Sequence, residues 1–280
     1  MTDKPRLRDV TVCAADSVNP RLAARALEIC LDRCEFAEGI LFSDVAVSGS
    51  FRHVAIDRLT SLDDYSRFCL YGMPKLIDTP FVLIVHWDGY VIDPAAWRPA
   101  FRKYDYIGAL LHPTDGTAPY VGNGGFSLRS RKLMKLLPSL TMIPGHGEDR
   151  LICQTFRPAL ERQGIRFAPV KVAETFAYES RSSAQATFGF HGLPNLWRHE
   201  DDAAALDFIG AMRPQDLASF GVYGLIISAM QNGRLALARA VYDRLRVDRS
   251  PEAIEGLMAR QIPRTLVVET IRKLEALAPG

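Results

Sequence analysis

Five consecutive apolar residues, Phe81–Val85, followed by His86-Trp87-Asp88-Gly89, constrain the fold more than any other stretch of this chain. A strand that is apolar throughout, without alternation, is covered on both faces, as in parallel sheets between layers of helices. The run through Trp87 is far shorter than a bilayer requires. Ligands of open α/β sheets gather beyond the carboxyl ends of such strands. Asp88 stands at that edge, and Gly89 allows a close approach to the backbone.

The flanking sequence predicts the rest of an α/β unit. Val10–Ala15 reads as a first strand ending at Asp16, with Asn19 as N-cap and Pro20 at the first helical position. Leu22, Ala26, Cys30 and Cys34 line one helix face. A second strand, Ile40–Ser43, ends at Asp44, and Val54–Ile56 reads as a third. Ser61–Asp64 forms a capping box. Tyr104–Ala109 reads as a strand, Leu111–Pro119 as loop and Arg131–Leu137 as helix. Glu148 opens a longer helix that Pro158 should kink and Gly164 should cap. Arg166–Val172 is expected to return as a strand. Residues 200–280 lack strand signals and read as four or five helices, Arg234–Arg246 the clearest.

The expected fold class is therefore α/β: a mixed, mostly parallel sheet flanked by helices, with a C-terminal all-helical appendage. The expected division is residues 1–198 for the catalytic α/β domain and 199–280 for the helices. Those helices are read as packing on the sheet domain or as a surface for a homo-oligomer or another partner.

Composition narrows the function classes. The 280 residues are 48% hydrophobic with a net charge of +2, and the arginines form no block of like charge, so nothing points to nucleic acid. The polar MTDKPRLRDV start carries no signal-peptide pattern. The expectation is a soluble, cytoplasmic protein, with peripheral attachment at the inner membrane face left open. Five cysteines without tight pairing argue against a disulfide framework, and Cys30 and Cys34 read as buried apolar thiols.

Four short segments carry the chemistry: Phe81–Gly89, Val121–Ser130, Gly145–Arg150 and Phe188–Gly192. Asp88 is a candidate ligand for a hard cation that offsets charge on a departing diphosphate. His191, framed by glycines, could complete the site as a neutral imidazole. Glu148-Asp149 opens a helix, where carboxylates are favoured. Asp149 is the candidate general base, Glu148 a binder of a sugar or acceptor hydroxyl, and His146 a competing base. Asn123-Gly124-Gly125 lacks the G-x-G-x-x-G and Walker spacings and reads as a tight turn that lets a sugar ring press on the backbone, with Phe126 or Tyr120 stacking on the ring. Asp16 and Asp44 could reach a nucleobase or ribose. Trp87 and Trp97 read as core or cleft wall.

With these residues in place, the first ~200 positions resemble glycosyltransferases of the GT-A fold. They look closest to a bacterial family of uncharacterised glycosyltransferase-like proteins with an apolar strand ending in Gln-x-Asp-Gly, then Asn-Gly-Gly-Phe-Ser-Leu-Arg, Glu-Asp and Phe-Gly-x-His-Gly. The order is also similar to beta-1,4-galactosyltransferases. That resemblance implies Asp88 as the second motif Asp, Asp149 as base and His191 as late metal ligand. It departs at His86, where the usual motif has its first Asp, which leaves a reduced dependence on metal open.

The resemblance implies an inverting transfer from a nucleotide-diphosphate sugar, a UDP-sugar favoured, to a glycan, lipid-linked or protein hydroxyl acceptor, in cell-surface glycan synthesis. Mn2+ or Mg2+ would sit on Asp88 and His191, and the donor would contact Asp16, Asp44, His86, Trp87, Asn123, Gly124, Gly125 and Phe126. The alternatives are a nucleotide-sugar hydrolase, a nucleotidyltransferase, or an inactive sugar-nucleotide-binding scaffold.

Overall fold

The computed structural model describes residues 4–112, 117–179, 185–213, 216–260 and 263–277. These divide into two compact units, Met1–His191 and Gly192–Gly280.

The first unit is α/β, as the apolar run demanded. β1 (Arg6–Ala15), α1 (Pro20–Arg33) and β2 (Glu35–Ser43) open it, followed by β3 (Arg52–Ala55), α2 (Leu62–Arg67) and β4 (Phe81–Val85). β5 (Tyr106–Gly108) comes next. β6 (Leu110–Leu111) and β7 (Tyr120–Val121) pair as a small ribbon, and β8 (Phe126–Ser130) completes the main sheet. Its strand order is β3-β2-β1-β4-β8-β5. β1 runs parallel to β2 and β4, and β2 parallel to β3, whereas β8 runs antiparallel to both β4 and β5. The sheet is thus mixed and mostly parallel. Val82–Val85 of the central β4 are almost wholly buried, as expected of a strand covered on both faces.

Two registers matter for the site. β4 pairs with β8 so that Val85 faces Phe126, and the ladder continues as His86 N–H donates to the Gly125 carbonyl at 2.8 Å. Farther along, β9 (Ala177–Tyr178) and β10 (Gly189–Phe190) pair in parallel, Tyr178 opposite Phe190. Glu179 and His191 are the next residues on each strand. Beneath them, Phe126, Phe176 and Phe188 form an aromatic cluster with Phe101.

Several local expectations are changed by tertiary structure. Asn19 occupies the N-cap of α1 without a side-chain cap. The Asp16 carboxylate instead accepts from the backbone N–H groups of Val18 and Asn19, both at 2.6 Å. The expected strand Arg166–Val172 is only a bridge at Phe167, and the chain turns helical at Val170–Phe176. Pro169 occupies the N-cap position of that helix, and its carbonyl accepts from the N–H groups of Val172 and Ala173. The helix opened by Glu148 is α-helical only over Glu148–Arg150, becomes a π turn over Leu151–Thr155 and restarts at Arg157–Arg162. Pro158 sits at the restart, where its missing N–H costs nothing. Ser61 caps α2 by accepting from Asp64 N–H, and Gly164 has φ +79, both as expected. Of the expected loop Leu111–Pro119, residues 113–116 lie outside the described residues.

The second unit opens with the turn Leu193–Arg198, which packs against the helix Phe220–Gln231. A Cβ on Gly224 would lie 2.7 Å from Pro194. The helices Asp202–Ala211, Leu235–Arg246, Pro251–Met258 and Arg264–Ala276 complete the unit among the described residues. Of the periodic Leu235, Ala238, Val241, Tyr242 and Leu245 in Leu235–Arg246, the last four are buried together with Leu237, whereas Leu235 is exposed, and Arg239 pairs with Asp243 one turn on. No helix among the described residues is long and apolar enough to cross a membrane.

Candidate active site at the ends of the central strands

The polar residues after β4, the turn before β8 and the segment after β10 meet in one place. One ligand atom from each of His86, Asp88 and His191 lies within 4.8 Å of the other two. His86 and Asp88 are two positions apart where β4 ends, and a turn closed by Gly89 N–H to the His86 carbonyl brings them together. His191 Nε2 lies 3.2 Å from Asp88 Oδ1, and its Nδ1 lies 2.9 Å from Glu179 Oε1. The pairing of β9 and β10 therefore sets a carboxylate against the far nitrogen of the imidazole. Burial works against a charged His191, but Asp88 and Glu179 outweigh it and hold its pKa well above the ordinary histidine range.

His86 behaves oppositely. Burial, reinforced by repulsion from His191, pushes its pKa down to about 3, so it is a neutral imidazole. Its Nε2 shares a 2.7 Å hydrogen bond with the Tyr65 hydroxyl from α2. Its ring stands edge-on to His191 with centroids 5.2 Å apart.

The Asn123–Gly125 turn is the floor of this arrangement. Asn123 is buried, and its Oδ1 accepts from the N–H groups of Gly125 and Phe126 at 3.0 and 3.3 Å. With the oxygen fixed, Nδ2 faces His191 Nδ1 at 3.0 Å. The glycines have reasons other than a sugar ring. A Cβ on Gly125 would overlap the His191 imidazole, and one on Gly124 would come within 2.5 Å of Glu148 Oε1. Gly89 is constrained too, because its Cβ would lie 2.7 Å from the Phe190 carbonyl. At Gly124 and Gly125 the missing Cβ makes room for the site's own side chains.

On the other flank lie Glu148 and Asp149. Both oxygens of Glu148 accept from Arg129, Nη1 and Nη2 each at 2.8 Å, and both side chains are buried. Arg129 also donates through Nε to Ser127 Oγ and lies over the Tyr106 ring. Glu148 was expected at a sugar or acceptor hydroxyl, but this bidentate pair occupies its acceptor atoms. Asp149 Oδ2 accepts from Gly124 N–H at 3.1 Å and Oδ1 from Arg150 N–H at 2.7 Å. Burial, then the adjacent Glu148 charge, raises its pKa to about 6. A carboxyl tuned there is ionised at neutral pH yet basic enough to take a proton. His146 Nδ1 lies 3.3 Å from the Pro144 carbonyl.

The remaining predicted residues scatter. Phe126 is wholly buried in the aromatic cluster and cannot stack on a ligand. Trp87 is half-buried against the core. Asp16 carries the turn into α1, and Asp44 is exposed 3.8 Å from Arg58. All five cysteines are free and buried, and burial pushes the thiols of Cys13, Cys30 and Cys34 up to about 12. Sequence reasoning missed Tyr65, Arg129 and Glu179. Only Arg129 carried a signal, a lone cation inside the strand Phe126–Ser130.

A family model described as protein of unknown function (DUF5672) matches residues 49–191, just over half of the chain and every residue of the site. The chain belongs to that family. No curated protein matches it. Among solved structures it is similar to a mannosyltransferase from Pyrobaculum calidifontis in complex with GDP-Man and Mn2+. That likeness has 12% identity, covers 98% of this chain and 86% of the other, and has a TM-score of 0.43. A glycosyltransferase involved in glycosylation of the major capsid of PBCV-1 matches at 13% identity, over 65% of this chain and 91% of its own, with a TM-score of 0.41. Bifunctional IspDF from Campylobacter jejuni matches at 11% identity, over 94% and 90%, with a TM-score of 0.38. At these values the likenesses assign no chemistry to this chain.

Proposed function

We propose that this protein is an inverting glycosyltransferase that moves a sugar from a nucleoside diphosphate donor to a hydroxyl acceptor. The observation that carries this reading is the convergence on one glycine turn. Gly125 packs on His191, which meets His86 and Asp88, while the neighbouring Gly124 donates to Asp149. A cation-ligating cluster and a carboxylate of raised pKa thus flank consecutive residues, whose Cα atoms are about 3.8 Å apart.

The donor set fits a divalent ion such as Mn2+, with Asp88 and His191 as ligands and Glu179 behind His191, the outer carboxylate common to metal-bound imidazoles. An ion held there would supply positive charge for the departing diphosphate. Asp149 takes the proton of the acceptor hydroxyl. The new bond forms from that oxygen to the anomeric carbon, the bond from that carbon to the diphosphate oxygen breaks, and its electron pair leaves with the diphosphate. Arg129 takes both oxygens of Glu148 in hydrogen bonds, so Asp149 is the basic member of the acidic pair. The nucleoside lies beyond the ends of β1 and β2, where Asp16 and Asp44 stand.

A panel of nucleotide sugars screened by thermal shift with and without Mn2+ tests the reading. A donor present at about 100 times its dissociation constant stabilises by about 2.7 kcal/mol. Product analysis of the binding donor then separates transfer to an acceptor from hydrolysis. No shift with any sugar nucleotide, with or without the ion, would overturn it.

A further inference from the structure

We propose that His86 is the third protein ligand of the cation site, and that the resulting set of two imidazoles and one carboxylate selects a first-row transition metal over Mg2+. The inference rests on the reading above that Asp88 and His191 hold a divalent ion, and adds which ion they hold and why.

Geometry carries it. His86 belongs to the same cluster as Asp88 and His191, each offering an atom within 4.8 Å of the others. Its backbone is pinned by the bond to Gly125 that extends the β4–β8 ladder. Its ring is held by Tyr65 at 2.7 Å, and Tyr65 is anchored on α2 rather than on a loop. An imidazole gripped through one nitrogen by an outer partner is the usual state of a metal-bound histidine. His191 shows the same pattern with Glu179. The cluster therefore pairs two oriented imidazoles, each with its own outer partner, with one carboxylate.

Chemistry supplies the selectivity. Mg2+ demands octahedral oxygen ligands and loses its waters reluctantly. Imidazole suits Fe2+, Ni2+, Cu2+ and Zn2+, and the affinity of such a site rises from Mn2+ through Co2+ and Ni2+ to Cu2+ and falls again at Zn2+. At position 86 the cluster offers an imidazole nitrogen rather than a hard carboxylate oxygen. His86 thus bears on which metal is held, and leaves the need for a metal intact.

The full-length protein titrated with Mn2+, followed by calorimetry and by loss of the free-ion EPR signal, gives the first readout. Mg2+ in thousandfold excess should leave Mn2+ bound, and Co2+ should bind more tightly than Mn2+. Pulsed EPR of the Mn2+ complex should count two coordinated imidazole nitrogens. His86→Gln should lower Mn2+ affinity on the order of 100-fold, the upper end of the ~10–100-fold cost of losing an outer partner, and leave one coordinated imidazole nitrogen, which the loss of an outer partner would not do. Displacement of Mn2+ by Mg2+ at equal concentration, or a single imidazole in the unmodified protein, would overturn the proposal while leaving the functional reading standing. Binding of no divalent ion would sink the cation and this inference together, whereas donor binding by thermal shift would still report on the fold's use of sugar nucleotides. Because the competition and the nitrogen count use the unmodified chain, a variant that folds poorly does not decide the outcome.

Discussion

The two flanks of the Asn123–Gly125 turn handle buried charge in opposite ways. On one, Glu148 meets Arg129 in a bidentate pair that satisfies both ions inside the protein. On the other, two carboxylates, Asp88 and Glu179, press on a single imidazole beside a second, neutral one. The first arrangement is closed and holds the chain together. The second is rich in electron-pair donors and calls for a cation. Asp149 lies next to the closed pair, and burial, then the Glu148 charge, raises its pKa to about 6. Neighbouring residues of one sequence pair, Glu148 and Asp149, therefore differ in their partners: Arg129 donates to both oxygens of the first, and backbone N–H groups donate to the second.

The largest effect should come from Asp149→Asn. General-base removal costs about 10²–10⁴-fold, so transfer measured by product formation should fall by that factor while donor binding persists. In the unmodified protein the rate of the proposed transfer should rise with pH through about 6 and then level, because the ionised form is the active one. Stability carries the opposite sign. Between its ordinary carboxylate range and about 6, Asp149 keeps its proton in the folded state but not in the unfolded one, so stability declines as pH rises. Asp149→Asn should thus melt higher than the unmodified protein at pH 8, with the difference disappearing near pH 4. A variant that lost activity because it lost its fold would melt lower.

Breaking the closed pair comes next. Glu148→Ala leaves the Arg129 charge buried and should cost about 3–5 kcal/mol by denaturant titration. A double change of Glu148 and Arg129 to apolar residues of similar volume should recover much of that loss. A single-variant cost below about 1 kcal/mol would mean that the pair is open to water and that the contrast between the flanks fails.

On the imidazole flank, Glu179→Gln should weaken divalent-ion binding by about 10–100-fold with little change in melting temperature, as the loss of an outer partner does. Tyr65→Phe probes the matching partner of His86 and should fall at or below the lower end of that range, because a neutral hydroxyl grips an imidazole less firmly than a carboxylate. Equal effects at Glu179 and Glu148 on stability would erase the distinction between an ion site and a structural pair.

Much of this site was legible residue by residue. Asp88 followed from an apolar strand that had to be central, His191 from its glycine frame, and Asp149 from an acidic helix start. Glu148 read the same as Asp149 because both are carboxylates in a first turn, and their difference depends on which one Arg129 faces across the sheet. Phe126 was drawn toward a ligand by its place after Asn-Gly-Gly, yet it is the first inward residue of β8 and belongs to the core. Glu179 and Tyr65 left no local mark, since each acts only through an imidazole far away in sequence.

By itself the sequence determined the α/β class, the central place of Phe81–Val85 and the helical character of the C-terminal unit, because apolar periodicity and capping residues act over a few positions. The tertiary structure alone decided that His86 belongs with Asp88 and His191, that the glycines make room for side chains of the site, and that Glu148 pairs with Arg129 while burial raises the pKa of Asp149. Those outcomes depend on strand register and on partners far apart along the chain, and no short-range pattern encodes them.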